Sequence, residues 1–124
     1  MDFSGVASRG LVLLGCGKMG SALLDGWLAR GLPPAAFTVL EPKPGPRLRA
    51  LAAEGLRLNA ALPAAPAVAV LAVKPQMMGD ALPTLASFGG GRTLFLSIAA
   101  GTPIAAFAAV LGPGTPIVRA MPNT

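Results

Sequence analysis

Histidine and tyrosine are absent from this 124-residue sequence, and cysteine occurs once, as Cys16. Histidine is the side chain that most often transfers protons near neutral pH, and no paired carboxylates or other recognisable acid and base replace it. We therefore assign no catalytic residue, and we expect no metal site, since imidazole ligands are lacking and Cys16 is the one available thiolate. A single cysteine allows no internal disulfide, which excludes a disulfide scaffold and favours the reducing cytoplasm.

Aromatic and charged residues are scarce, at 5% and 12% of the chain. The net charge of +5 could indicate a polyanionic partner. However, the basic residues are scattered singly, apart from a loose group at Lys43, Arg47 and Arg49. Because the stacking platforms of single-strand binding proteins need aromatic side chains, nucleic acid is not an expected partner.

Long uninterrupted apolar runs are also missing. The longest apolar stretch, residues 60–73, contains Pro63 and Pro66 and is shorter than the ~20 residues that cross a bilayer, so no membrane segment is expected. Hydrophobic residues nevertheless make up 53% of the chain, which is enough to bury a core in one domain of this length. Residues 1–9 show no periodicity and are expected to form a flexible leader before a single domain at 10–124.

The sequence alternates short apolar runs with helical patterns. Buried strands are predicted at residues 11–14, 37–40, 67–73, 93–97 and 116–120. Helices are predicted at 18–30, over 48–52 before Gly55, at 76–86 with Pro83 shortening or kinking it, and at 102–111 before Gly112. Because parallel strands need crossover connections, this order indicates a doubly wound α/β domain with a mostly parallel sheet. A β-sandwich is the weaker alternative, since no Asn-Gly or Asp-Gly turn separates the runs.

The first strand and the first helix carry specific expectations about burial. The strand at 11–14 is continuously apolar, which is typical of a strand buried on both faces. In the helix that follows, apolar or small residues recur at helical spacing and are expected to face the sheet. These residues are Met19, Ala22, Leu23, Gly26 and Trp27.

A glycine-rich motif, Gly15-Cys16-Gly17-Lys18-Met19-Gly20, separates this strand from this helix. Such a G-x-G-x-x-G pattern lets the backbone turn tightly and approach a diphosphate, which the amino end of the helix then binds. A simple structural turn is the alternative interpretation. The position between strand and helix favours dinucleotide binding, as does Glu41, about twenty residues further on, where a carboxylate accepts hydrogen bonds from ribose hydroxyls.

Three further loops follow predicted strands, and in a parallel sheet they meet at the same edge as the glycine motif. They comprise residues 72–75, 97–101 and 119–124. Their small residues would let a flat nicotinamide ring approach the backbone, while Lys74 and Asn123 could bind ribose or carboxamide groups. The alternatives are a solvated surface lysine and an ordinary turn asparagine.

Together the segments GCGKMG, AVKPQ, SIAAG and RAMPNT, in this order, resemble the amino-terminal Rossmann-like domain of pyrroline-5-carboxylate reductase over residues 10–124. The resemblance implies an NAD(P)H-dependent enzyme that transfers hydride to the C=N bond of a cyclic imine in L-proline biosynthesis. It also implies that Met121, Pro122 and Asn123 lie near the nicotinamide and substrate. The cofactor-binding residues that it implies are Leu14, Gly15, Cys16, Gly17, Lys18, Met19, Ala72, Val73, Lys74, Pro75, Ile98, Ala99 and Ala100.

In that family a carboxy-terminal helical domain, expected to be absent here, makes the homo-oligomer and holds the substrate. The isolated chain is therefore expected to be inactive. Glu41 favours NADH, since a carboxylate repels the 2′-phosphate of NADPH, although Lys43, Arg47 and Arg49 lie nearby in sequence. Two alternatives stay open. One is a free-standing dinucleotide-binding module without catalysis, and the other is a reductase of another imine or of the F420-dependent type.

Overall fold

The computed structural model of the chain describes residues 9–15, 17–60, 62–63, 66–73, 82–88, 93–98, 111–112, 115 and 117–119. Residues 1–8 of the expected leader at 1–9, and residues 102–110 of the predicted helix at 102–111, lie outside the described part. Arg9, the last residue of the expected leader, donates a hydrogen bond from Nη2 to the carbonyl oxygen of Pro66 at 3.2 Å. Within the described part of the chain, no helix combines the length and the apolar character needed to cross a membrane.

The described residues form one six-stranded sheet in which every neighbouring pair of strands is parallel. The strands are β1 Leu11–Leu14, β2 Phe37–Leu40, β3 Arg57–Leu58, β4 Val68–Leu71, β5 Leu94–Ser97 and β6 Ile117–Arg119. The α-helices are α1 Gly17–Ala29 and α2 Pro46–Ala53, and 3-10 helices cover Pro34–Ala36 and Leu82–Phe88. The predicted doubly wound α/β fold is confirmed. The short edge strand β3 was not predicted.

The order of the strands across the sheet is β3-β2-β1-β4-β5-β6. From β1 the chain builds outward through β2 to β3, then crosses back to the other side of β1 and builds outward again through β4 to β6. Leu14, the last residue of β1, pairs in register with Leu40 and with Leu71. A crevice therefore opens outside the carboxyl ends of β1 and β4, where the direction of winding reverses.

The core has two halves because successive side chains of each strand point to opposite faces. On one face Leu11, Leu13 and Val39 pack against the helical residues Leu24 and Leu51. On the other face the sheet packs against the second 3-10 helix and Leu111. The residues of that second half are Val12, Leu14, Ala69, Leu71, Phe95, Leu82, Leu85, Phe88 and Leu111. The burial of all four residues of β1 confirms the prediction of a strand covered on both faces.

The predicted sheet-facing side of α1 is partly wrong. Ala22 and Gly26 are exposed, whereas Gly20 and Leu24 are buried. Trp27 lies against the core, with its ring stacked on Phe37 at a centroid distance of 6.2 Å. Leu24 is bulkier than Ala22 and Gly26, so the orientation of α1 that buries Leu24 removes more apolar surface from water.

The predicted helix at 76–86 is also corrected where the structure describes it. Residues 82–88 form a 3-10 helix instead of an α-helix, and this helix extends two residues beyond the predicted end. Pro83 is the second residue of this helix, where its lack of an N–H leaves no helical hydrogen bond unmade. Leu82, Leu85 and Phe88 are buried, so this helix covers the second face of the sheet. Residues 76–81 lie outside the described part.

An ion pair joins the first turn of α2 to α1. Nη2 of Arg47 lies 3.3 Å from Oδ1 of Asp25, and the two side chains are 62% and 53% exposed. Because water and salt screen such a pair, Asp25→Asn is expected to lower the free energy of unfolding by less than about 0.5 kcal/mol. Urea unfolding measures this change, and a loss of more than about 1 kcal/mol that persists in high salt would contradict the prediction.

Candidate functional site

Gly15 turns the chain directly after β1. Its φ of +76° lies in the left-handed region, and its N–H donates to the carbonyl oxygen of Leu40 at 2.8 Å. A Cβ on Gly15 would come within 2.6 Å of Cγ1 of Val73 and 3.1 Å of the backbone nitrogen of Val73. Only glycine satisfies both the backbone angle and this close approach. The first glycine of the motif is therefore required by the geometry of the turn.

The loop after β4 is the neighbour that Gly15 contacts. Ala72 donates its N–H to the carbonyl oxygen of Leu14 at 2.8 Å, which continues the β1–β4 ladder by one bond beyond the strands. Val73 follows directly and is half-buried beside Gly15. Two of the loops that the sequence predicts at one edge of the sheet are thus in direct contact.

The loop after β5 starts at the same edge. Ser97, the last residue of β5, is 1% exposed and pairs in register with Leu71. Ile98 donates its N–H to the carbonyl oxygen of Leu71 at 3.1 Å and is half-buried. Leu14, Gly15, Ala72, Val73 and Ile98 therefore form a continuous stretch along the carboxyl ends of β1, β4 and β5.

The amino end of α1 faces the same crevice. The helix begins at Gly17, and its first turn contains no acidic residue. Its first N–H groups have no partner within the helix, and together with the helix dipole they make this end attractive to an anion. Gly20 is buried, as expected for the glycine that brings a helix close to its strand.

Glu41 is the first residue beyond β2 and is half-buried. Its backbone N–H donates to Oδ1 of Asn59 at 2.8 Å, and its carbonyl oxygen accepts from Nδ2 of Asn59 at 2.9 Å. The carboxylate atom Oε2 accepts a longer bond, 3.4 Å, from the N–H of Lys43. Asn59 was not predicted as a site residue. No sequence pattern indicates this role, because the contact with Glu41 depends on the tertiary position of β3.

Several predicted site residues lie outside the described part of the chain. They are Cys16, Lys74, Pro75, Ala99, Ala100, Met121, Pro122 and Asn123, together with the side chains of Lys18 and Met19. Their roles stay predictions. Among the residues that the structure does describe, no group of three or more acidic, histidine or cysteine side chains is placed to hold a metal ion.

These features fit a dinucleotide. The glycine turn leaves no room for a Cβ at Gly15, the amino end of α1 suits a diphosphate, and Glu41 directly follows β2, the strand beside β1. The crevice between the ends of β1 and β4 is the point at which ligands bind in open α/β sheets.

Comparisons with known proteins agree with this geometry. A family model described as "NADP oxidoreductase coenzyme F420-dependent" matches residues 10–101. The pyrroline-5-carboxylate reductase of Pseudomonas aeruginosa is 37% identical over 92% of this chain and 43% of its own length. That of Methanosarcina acetivorans is 36% identical over 89% of this chain and 42% of its own length. The chain thus spans less than half the length of these relatives.

Two solved structures share the fold of this chain. A pyrroline-5-carboxylate reductase from Coxiella burnetii superposes with a TM-score of 0.76 at 27% identity, over 94% of this chain and 44% of that one. The TrkA-N domain of the inner membrane protein ybaL from Escherichia coli shares the fold, with a TM-score of 0.59 at 18% identity, over 90% of this chain and 87% of that domain.

The resemblance to pyrroline-5-carboxylate reductase that the four sequence segments indicate is therefore confirmed. The matching family model ends at residue 101, before the RAMPNT segment, so it covers the part of the fold that holds the glycine motif and the loops after β2 and β4. On the strength of a match over most of its length, this chain belongs to the family of NADP oxidoreductases described as coenzyme F420-dependent.

Proposed function

We propose that this chain binds a nicotinamide adenine dinucleotide, with the diphosphate at the turn between β1 and α1. The observation that carries the proposal is the turn at Gly15, which lies at the point where the strand order reverses and opens toward the start of α1. In this proposal the site residues are those of the glycine motif, Glu41, the loop at 72–75, the loop at 98–100 and Asn123.

Each described part of the site has a definite task in this proposal. The first N–H groups of α1 bind the diphosphate oxygens, and Glu41 accepts hydrogen bonds from the adenosine ribose. Ala72, Val73 and Ile98 present backbone and small apolar surface beside the path of the dinucleotide and exclude water from it. When bound, the nicotinamide supplies a hydride, and the protein aligns donor and acceptor.

For the whole protein we propose the activity that its relatives are named for, the NAD(P)H-dependent reduction of 1-pyrroline-5-carboxylate to L-proline. The substrate is a small molecule, and the proposed setting is a cytoplasmic homo-oligomer with no nucleic-acid or membrane partner. The two reductases from Pseudomonas aeruginosa and Methanosarcina acetivorans are more than twice as long as this chain, and no catalytic acid or base is assigned in it. We therefore expect the 124-residue chain to bind cofactor and to turn over substrate negligibly.

Isothermal titration of the chain with NADH, followed by an assay for proline formation, tests this proposal. Binding in a single class of sites without turnover supports it. If the chain bound neither NADH nor NADPH, the proposed dinucleotide site would be contradicted. If the chain alone formed proline rapidly, the expectation of negligible turnover by these 124 residues would be contradicted. The alternative of a binding module without catalysis predicts no activity even when a relative's carboxy-terminal domain is added.

Cofactor preference depends on Glu41 in this account. Glu41→Gln removes the charge that accepts from the ribose hydroxyls and repels a 2′-phosphate. The variant is expected to bind NADH about tenfold more weakly and NADPH more tightly than the unmutated chain, since hydrogen bonds to charged groups contribute about 1.5 kcal/mol or more.

Glu54→Gln is the matched control, because Glu54 is an exposed carboxylate at the end of α2. Titration of both variants with both cofactors measures the ratio of dissociation constants. An unchanged ratio in Glu41→Gln, or an equal change in Glu54→Gln, would contradict the role of Glu41.

A further inference from the structure

Asn59 has an unusual backbone conformation. Among the described residues other than glycine, it alone has a positive φ, at +51°. It directly follows the short strand β3, and its own N–H donates to the carbonyl oxygen of Val39 at 2.7 Å. Left-handed backbone costs a residue with a side chain about 1 kcal/mol, and asparagine is among those that tolerate it best. The conformation therefore has to be held by contacts that favour it.

Those contacts are the two hydrogen bonds to Glu41. The β2–β3 ladder pairs Thr38 with Arg57 and Val39 with Leu58, and then the chain at Asn59 turns away. At that point the side-chain amide of Asn59 takes the place of a backbone peptide group. It accepts from the N–H of Glu41 and donates to the carbonyl oxygen of the same residue. The sheet is in effect continued by one side chain.

These two hydrogen bonds affect the orientation of the Glu41 side chain. Pro42 follows Glu41 and disfavours helical backbone at Glu41, but no regular structure continues the chain from residue 41 to 45. Because the planar amide of the exposed Asn59 side chain bonds to both the N–H and the carbonyl of Glu41, it restrains the direction of the Cα–Cβ bond of Glu41. The 3.4 Å contact from the N–H of Lys43 to Oε2 restrains the carboxylate further.

We propose that Asn59 is a positioning residue that sets cofactor preference through Glu41: its amide clamps the Glu41 backbone so that the carboxylate meets the ribose hydroxyls of NADH. This inference rests on the proposed function, since the direction of the carboxylate matters only when a ribose binds beside it. Asn59 itself need not touch the cofactor. Holding the carboxylate in place before binding spares the entropy of ordering it on binding.

Asn59→Gly is the informative variant, because glycine adopts a φ of +51° without strain and removes both clamp bonds. Asn59→Asp is its partner: one carboxylate oxygen can still accept from the N–H of Glu41, while the other faces the carbonyl oxygen of Glu41 and cannot donate. Asn59→Gly is expected to weaken NADH binding about fivefold and to change NADPH binding by less than about twofold. Asn59→Asp is expected to bind NADH as weakly as Asn59→Gly does, or more weakly.

A double-mutant cycle with Glu41→Gln shows whether Asn59 acts through the carboxylate. Glu41→Gln keeps the backbone groups that Asn59 holds. In that background, Asn59→Gly is expected to change NADH binding by less than about twofold. An equal loss in both backgrounds, or an equal loss for NADH and NADPH, would overturn the proposal, because Asn59 would then contact the cofactor itself or support only the fold.

Amide hydrogen exchange at Glu41 tests the clamp without any cofactor. In Asn59→Gly, exchange of this amide is expected to be about tenfold faster or more, and an unchanged rate would overturn the inference. Different observations would contradict the proposed function itself. In that case the unmutated chain does not bind NADH, or Glu41→Gln leaves the NADH to NADPH ratio unchanged, whatever Asn59→Gly does to exchange.

Discussion

Gly17→Val is expected to weaken NADH binding by about 100-fold, because a branched side chain at the first residue of α1 blocks the diphosphate from the N–H groups of that turn. Loss of one or two hydrogen bonds to a charged group accounts for an effect of this size. The free energy of unfolding should change by less than about 1 kcal/mol, since valine is only a moderately poor helix former. Titration calorimetry and urea unfolding of the same preparation measure the two quantities.

Gly26→Ala is the control within the same helix. Gly26 is exposed, and a Cβ there meets no atom within 4 Å. This variant should bind NADH as the unmutated chain does and gain up to about 1 kcal/mol of stability from the better helix propensity of alanine. If Gly17→Val bound NADH with unchanged affinity, the diphosphate would not lie at this turn.

Gly15→Ala is expected to lower the free energy of unfolding by roughly 3 kcal/mol, the sum of left-handed strain and overpacking. The φ of +76° is unfavourable for alanine, and the new methyl group would lie 2.6 Å from Cγ1 of Val73. The backbone of Ala72 and Val73 is also within 3.2 Å, so rotation of the valine alone does not remove the clash. The midpoint and slope of urea unfolding measure the loss.

The double variant Gly15→Ala/Val73→Ala separates the backbone strain from the overpacking. It removes the closest atom, so the double variant should recover about 1 kcal/mol relative to the sum of the two single changes, with the backbone strain remaining. Additive losses would mean that the strands move apart to admit the methyl group. A loss below about 0.5 kcal/mol in Gly15→Ala would contradict the close approach of the two loops.

The architecture could be predicted because four of its strands are short and nearly continuous apolar runs. Burial on both faces imposes that pattern, as all four residues of β1 and of β4 show. The edge strand β3 could not be found in this way. It has two residues, Arg57 is exposed, and only backbone pairing to β2 defines it. The buried side of α1 was misjudged for a related reason, since small residues at helical spacing fit either face and packing against the sheet decides.

In the candidate site, too, the residues that follow apolar strands could be predicted, and a residue defined by tertiary pairing could not. Parallel strands bring their carboxyl ends together, so one edge was expected to hold Gly15, Ala72, Val73 and Ile98. In the structure Gly15 lies against Val73, while Ala72 and Ile98 donate hydrogen bonds to the last residues of β1 and β4. Asn59 was missed because its role depends on β3, which the sequence pattern does not reveal. A side-chain amide that extends a strand ladder needs the tertiary position of both strands before it can be recognised.

A crystal structure of the chain grown with NADH tests the central claim most directly. We expect diphosphate oxygens about 3 Å from the backbone nitrogens at the start of α1, with the adenosine ribose beside the carboxylate of Glu41. NADH bound elsewhere on the chain, with no cofactor atom near Gly15 or the start of α1, would contradict it.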